Sequence, residues 1–368
     1  MASALFSPIT LRGLTLPNRI TVSPMCQYNS ENGSANDWHL MHLGTLSLGG
    51  AALVMTEMTN VNPAGRITPK CAGMYSDDNE AAMRRVIDFC RTYGVAKHGI
   101  QLAHAGRKGS TQAPPQGSKP LRPGEGGWIT EAPSALPFAP DWPVPKALTK
   151  QEIGKLVEQW VSAAKRAERI GYDLIEMHGG HGYLMHQFLS PISNQRSDEY
   201  GGSLENRMRF PLEAFAAVRA AWPSDKPMGI RVSATDWMEG GWTPEETVVF
   251  ARELKQLGCD YMDVSSGGVD PRAKIPLAPG YQVPLGEKVR KETGLPTMSV
   301  GLITEPNQAE DIIASGKADM IALARGAMWN PRWAWHAAEA LGAETAYAPK
   351  MMLCHPKLRP QVFPTRAP

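Results

Sequence analysis

The densest run of chemically capable side chains is Glu176-Met177-His178-Gly179-Gly180-His181-Gly182-Tyr183. Two histidines and a tyrosine fall within six residues, separated by glycines that let the backbone bend. Three chemistries are open to them. His178 and His181 are metal ligands by type, although zinc motifs usually supply a third ligand nearby and this run offers none obvious. They could be polar residues of a loop. Or they form a donor pair that polarises an oxygen, with Tyr183 as the proton donor.

Other segments bring complementary groups. Ser23-Pro24-Met25-Cys26-Gln27-Tyr28 ends an apolar run with a thiol and a phenol; the plainer reading is a buried cysteine and a packed tyrosine. Gln101, in Gln101-Leu102-Ala103-His104-Ala105-Gly106-Arg107, carries a primary amide that both donates and accepts, which suits the edge of a heteroaromatic ring or a satisfied core position. Arg231 lies within a hydrophobic run, where an unpaired cation is costly and an anion or electron-rich partner is required. Val300-Gly301-Leu302 and Ala324-Arg325-Gly326 offer small residues whose backbone N–H groups can approach a phosphate, with Arg325 adding charge. Each signal alone is weak. Together they describe a site with a phosphate end, a ring-edge amide, a cation and a His/His/Tyr cluster, and a flavin mononucleotide fits that layout.

Eight short, near-continuously apolar runs could position these groups: Arg19–Met25, Ala52–Thr59, Gly99–His104, Tyr172–His178, Met228–Ser233, Tyr261–Ser265, Thr297–Val300 and Met320–Ala324. Strands covered on both faces read this way. Between them lie helical patterns over Asp77–Tyr93, Thr149–Gly171, Ser203–Trp222, Thr243–Gly258 and Glu305–Gly316, several with a Thr cap and a closing glycine. Strand and helix in alternation predict an α/β fold, a single (β/α)8 TIM barrel whose chemistry sits at the C-terminal strand ends. A doubly wound open sheet is the alternative. Leu5–Leu16 reads as an N-terminal hairpin plugging the barrel floor. Ala105 to Ala147, after the third strand, is a long aperiodic stretch rich in Gly and Pro, either a lid over the mouth or a surface insertion. The division expected is one FMN-binding barrel over 1–345 and an irregular tail over 346–368.

Composition narrows the class. The chain has 368 residues, 42% hydrophobic and 20% charged, as a globular protein does. A formal net charge of +2 gives no general case for nucleic acid or an anionic membrane as partner. The cysteines, Cys26, Cys71, Cys90, Cys259 and Cys354, are odd in number and never paired as C-x-x-C, which argues against a disulfide framework and an iron–sulfur cluster. The opening residues do not read as a secretory signal, no run of about 18 apolar residues is present, and a reducing cytoplasm is the expected location.

The chain resembles the Old Yellow Enzyme family, in its bacterial xenobiotic-reductase or thermophilic-like branch, from Leu5 to about Leu341. The resemblance is carried by Pro17-Asn18-Arg19, Ser23 to Tyr28, Asn36-Asp37-Trp38-His39, Asn62-Pro63-Ala64-Gly65-Arg66-Ile67, Gln101 to Arg107, His178 to Tyr183 and Ser193 to Arg207. It implies non-covalent FMN, NADPH or NADH as reductant, and a ping-pong reduction of a small enone-type substrate such as an α,β-unsaturated carbonyl, maleimide or nitro compound. By the same resemblance Ser23, Pro24, Met25, Cys26, Met58, Gln101, Arg231, Gly301, Ala324 and Arg325 would hold FMN. Tyr28, His178 and His181 would bind the substrate oxygen, Tyr183 would protonate the neighbouring carbon, and a homodimer or homotetramer is expected. Three departures stand out: Met58 where the branch usually has a small residue, Ala324 where glycine is usual, and a divergent tail in which Arg359 and Phe363 are candidates without an assigned role. An alternative is a flavin-binding barrel with impaired turnover, or one serving a different FMN-linked reduction.

Overall fold

The computed structural model describes residues 2–358. Eight parallel strands close into a barrel in chain order: β1 Ile20–Val22, β2 Leu53–Asn60, β3 Lys97–Ala103, β4 Leu174–Gly179, β5 Met228–Ser233, β6 Tyr261–Ser265, β7 Thr297–Ser299 and β8 Met320–Leu323. β8 pairs with β1, so the sheet has no open edge and the doubly wound alternative is set aside. Every strand except β3, which starts at exposed Lys97, is buried along its whole length, because helices cover the outside and side chains fill the inside.

The caps read from the sequence are formed. Thr149 accepts from the Glu152 amide and Gly171 closes the helix Lys150–Ile170 in the left-handed conformation. Thr243 and Glu246 make the reciprocal cap that opens Pro244–Gln256. The structure adds helices that the periodicity missed, among them Asp37–Ser47, Leu184–Leu189, Val283–Thr293 and Trp333–Ala340. They are short or weakly amphipathic, and tertiary packing stabilises them more than their own pattern does.

Three local corrections bear on the site. The first strand ends at Val22, so Ser23 to Tyr28 leave the barrel as irregular chain, with Tyr28 in the left-handed region at φ 52°. The second run is interrupted: the β2–β3 register skips Glu57, so Thr56 pairs with Ile100 and Met58 with Gln101. That bulge points Met55 and Met58 both inward while Glu57 turns out. The stretch 105–147 is not structureless, since it contains 3-10 turns and a parallel bridge between Glu131–Ala132 and Lys146–Ala147.

At the floor, strands Ile9–Leu11 and Leu14–Leu16 form the expected antiparallel hairpin. Leu11 and Leu16 pack upward against Met55, Leu174, Tyr261, Met298 and Met320 inside the barrel. Leu16 is 1% exposed, so Leu16→Ala removes a buried side chain from a site that cannot easily collapse. It is expected to cost about 2–5 kcal/mol in urea unfolding with little change in activity per folded molecule. A loss under about 0.5 kcal/mol would mean the hairpin is not part of the core.

Candidate active site

The inward side chains of β3 to β6 stack in two levels. The lower level comprises Gln101, Glu176, Gly229 and Tyr261, joined by register from strand to strand. The upper level sets His178 beside Arg231 and Arg231 beside Asp263. Arg231 Nε lies 3.1 Å from Asp263 Oδ2, which supplies the anion that a buried guanidinium needs. Below, Gln101 Nε2 donates to Glu176 at 2.8 Å and the Tyr261 hydroxyl donates to its other oxygen at 3.1 Å. Burial and then Asp263 push the Glu176 carboxyl up to about 8.

Above this floor the turn after β4 brings its three candidates together. The His178 ring lies 5.1 Å from that of His181 and 5.0 Å from that of Tyr183, near perpendicular to both. His181 takes φ 55° and Gly182 φ 73°, a sharp left-handed pair. The turn is held from below and behind. The Gly182 amide donates to His186 Nδ1 at 2.9 Å, and His186 Nε2 in turn meets Asp236 at 2.9 Å with both side chains fully buried. Lys108 Nζ donates to the carbonyls of His181 and Gly268, each at 2.8 Å, and sits 5.2 Å from the Tyr183 ring centroid. Burial, and then Arg107, pull that ammonium down to about 8.

Hydrogen placement on the imidazoles follows from their neighbours. His178 Nδ1 accepts from the Gly180 amide at 3.2 Å, so Nε2 of the neutral ring carries the hydrogen and points at His181 Nδ1, 3.4 Å away. His181 Nε2 lies 2.7 Å from Ser265 Oγ. Ser265 donates its own hydrogen to Gln282 Oε1 at 3.2 Å, so His181 Nε2 donates to Ser265 and His181 Nδ1 accepts from His178. Turning the Ser265 hydroxyl to donate to His181 would move the imidazole hydrogen to Nδ1 and make both facing nitrogens donors. Burial, and then Arg231, hold both imidazoles well below the usual histidine range, so they are neutral donors at pH 7. Burial pushes the Tyr183 phenol well above its ordinary value, which keeps its proton in place.

The segment after β1 meets this cluster. Cys26, Tyr28 and Tyr183 pack with Met58, Ile67, Cys71, Ala103 and Ala105. Glu57, turned out by the bulge, accepts from the Gln27 amide at 3.0 Å and lies 3.2 Å from His39, which anchors the segment. Burial and then Glu57 raise the Cys26 thiol, so it stays protonated. Met58 is 2% exposed and faces inward beside Cys26. On the opposite rim Gly301 takes φ 117°, while Ala324 has φ −103° and so bears its β-carbon without the left-handed strain that a positive φ would impose. Arg325 is exposed beside it. Arg359 and Phe363 lie outside the described residues. Among the described residues no three His, Cys, Asp or Glu side chains converge as a metal-ligand set, and no helix is long and apolar enough to cross a membrane.

The residues at this mouth suit an anionic, ring-bearing cofactor. Ser23 Oγ is buried without a hydrogen-bond partner, and such a group at a barrel mouth calls for a polar ligand. Sequence reasoning missed the groups that hold the site: Glu57, Lys108, His186, Asp236, Asp263, Ser265 and the role of Glu176. Alternation could have flagged two of them, since Glu176 stands two residues before His178 and Asp263 two before Ser265, which gives them the same inward face.

The fold and site define a barrel oxidoreductase that works with flavin and a nicotinamide nucleotide. Residues 4–344 match the family described as NADH:flavin oxidoreductase / NADH oxidase, and the chain belongs to it, the Old Yellow Enzyme family. An NADPH dehydrogenase of Geobacillus thermodenitrificans is 44% identical over 346 residues, 94% of this chain and 96% of its own length. One of Clostridium acetobutylicum is 45% identical over 331 residues, 89% of this chain and 92% of its own. A solved morphinone reductase superposes with a TM-score of 0.76 at 27% identity, covering 95% of this chain and 93% of its own.

A proton-linkage test follows from the neutral imidazoles. The unfolded chain protonates its histidines as pH falls through about 6.5, while folded His178 and His181 resist. Their contribution to stability is therefore complete above that value and is lost as pH falls below it. The melting temperature is expected to drop from pH 7 to pH 5, and less steeply in a His178→Asn, His181→Asn variant. Parallel slopes in the two proteins would show that these rings titrate freely.

Proposed function

We propose that this chain is an FMN-dependent ene-reductase that uses NADPH or NADH to reduce activated C=C bonds of α,β-unsaturated carbonyls, maleimides or nitro compounds in two half-reactions through one mouth. The observation that carries the reading is the meeting of His178 and His181, two neutral imidazoles whose facing nitrogens lie 3.4 Å apart, with Tyr183 beside them. Ser23, Pro24, Met25, Cys26, Met58, Gln101, Arg231, Gly301, Ala324 and Arg325 would hold the cofactor. Bound FMN would carry the hydride between the nicotinamide and the substrate.

The protein's own part is electrostatic and geometric. Hydride arriving at the β-carbon of an enone drives negative charge onto its oxygen. His178 Nε2–H, and His181 Nδ1–H once the Ser265 hydroxyl turns to donate to His181 Nε2, stabilise that charge from rings already held in place. Tyr28, on the same apolar cluster, closes the substrate side. Tyr183 delivers the proton that the α-carbon needs, and the Lys108 ammonium over its ring face eases the charge left on the phenol oxygen. The unit taken to bind FMN is residues 1–345, working as a homodimer or homotetramer in a reducing cytoplasm.

Anaerobic titration tests the reading. The purified protein is expected to carry a flavin colour that NADPH or NADH bleaches and 2-cyclohexenone restores. His178→Ala with His181→Ala is expected to weaken binding of phenols and to slow reoxidation by the enone by about 10²-fold or more, as loss of preset oxyanion donors does, with flavin retained. Tyr183→Phe is expected to slow the same half-reaction and to leave bleaching by NADPH nearly untouched. Protein that cannot be loaded with FMN, or phenol affinity that ignores both histidines, would sink the proposal.

A further inference from the structure

A primary amide has two chemically different ends, and at Gln101 the barrel decides which end faces the mouth. Gln101 is 2% exposed and Glu176 is fully buried. The Gln101 amide nitrogen donates to Glu176 Oε1 at 2.8 Å. The second oxygen of Glu176 receives the Tyr261 hydroxyl at 3.1 Å. Gly229 makes this crossing possible: it stands between Glu176 and Tyr261 in register, and a β-carbon built there would run into the Tyr261 ring. With no side chain at 229, the phenol lies across the barrel and reaches the carboxyl.

The arrangement has one polarity as long as Glu176 accepts from Gln101. Ionised, the carboxylate accepts through both oxygens. Protonated, it donates its hydrogen toward the Tyr261 oxygen and still offers the other oxygen to Gln101. In both of these states one Gln101 N–H is committed downward, which turns the amide so that its carbonyl oxygen, with the second N–H beside it, is left for the mouth. With Glu176 ionised the match is expensive to reverse, because a flip would set carbonyl against carboxylate with no hydrogen between them; with Glu176 protonated a flip requires the carboxyl hydrogen to leave the Tyr261 side for the Gln101 side.

We infer that Glu176, braced by Tyr261, is a positioning residue that turns the Gln101 carbonyl toward the cofactor, so that the site selects a ring edge presenting an N–H. The imide edge of a flavin is such an edge, with an N–H between two carbonyls. The inference rests on the FMN reading of the mouth. Glu176 touches neither substrate nor cofactor in this scheme; it acts through Gln101.

Apo-protein reconstituted with FMN or with 3-methyl-FMN, which lacks the imide hydrogen, gives the test, with binding read from quenching of flavin fluorescence. The wild type is expected to prefer FMN by about tenfold or more, the worth of one buried hydrogen bond. Glu176→Gln lets residue 176 donate to the Gln101 carbonyl and the amide turn over, so most of the preference is expected to disappear. Tyr261→Phe frees the carboxyl to rotate and is expected to narrow the preference; it decides the matter if the first variant does not fold. A methyl group excluded by bulk alone is excluded equally by all three proteins, and unchanged ratios overturn the inference. Failure of the wild type to bind FMN at all strikes the flavin reading instead.

Discussion

An arginine inside a barrel of apolar strands is tolerable only with an anion beside it, and much of this site follows from that requirement. Arg231 rises from β5 and Asp263 from β6 at the same height, so barrel closure itself makes the pair. Burial first, and then the negative charge of Asp263, drive Glu176 toward its protonated form. The low-dielectric interior that makes these charges costly also lowers the histidines and keeps them neutral. Burial thereby sets the charge state of these polar groups, with Arg231 reinforcing it at the two histidines, and the mouth above is furnished with neutral imidazoles rather than with free charges.

The turn after β4 shows how geometry is bought from backbone freedom. His181 and Gly182 both sit in the left-handed region, and the space beside Gly182 is filled by the Gly268 carbonyl. The His186–Asp236 pair grips the turn from behind and Lys108 ties it to the loop after β6. None of these groups belongs to the donor cluster, yet each restricts where His178, His181 and Tyr183 can stand. A donor displaced by an ångström stabilises developing charge far less well, so the supports matter as much as the donors.

The barrel was legible in the sequence because fully buried parallel strands leave uninterrupted apolar runs, and because Thr149, Gly171 and Thr243 mark their helix ends chemically. The His/His/Tyr string was legible because its members are close in the chain. What escaped was non-local. Glu176 stands in the same string, but its meaning depends on Gln101 and Tyr261, contributed by two other strands. The bulge at Glu57 left no mark in a run that reads as plain alternation-free strand, and Tyr28 gave no sign of its left-handed backbone. Short helices such as Leu184–Leu189 owe their existence to the core they touch rather than to their own pattern.

The bulge has a consequence for how such a protein can change. By carrying both Thr56 and Glu57 to the outer side between the inward-facing Met55 and Met58, it uncouples the scaffold from the cavity. Glu57 anchors the Cys26–Tyr28 segment from outside, and the side chain at 58 fills space inside. The size of residue 58 can therefore drift through evolution, or be chosen by a designer, as an independent dial on the volume above the floor, while the anchor that aligns the thiol and the phenol stays untouched.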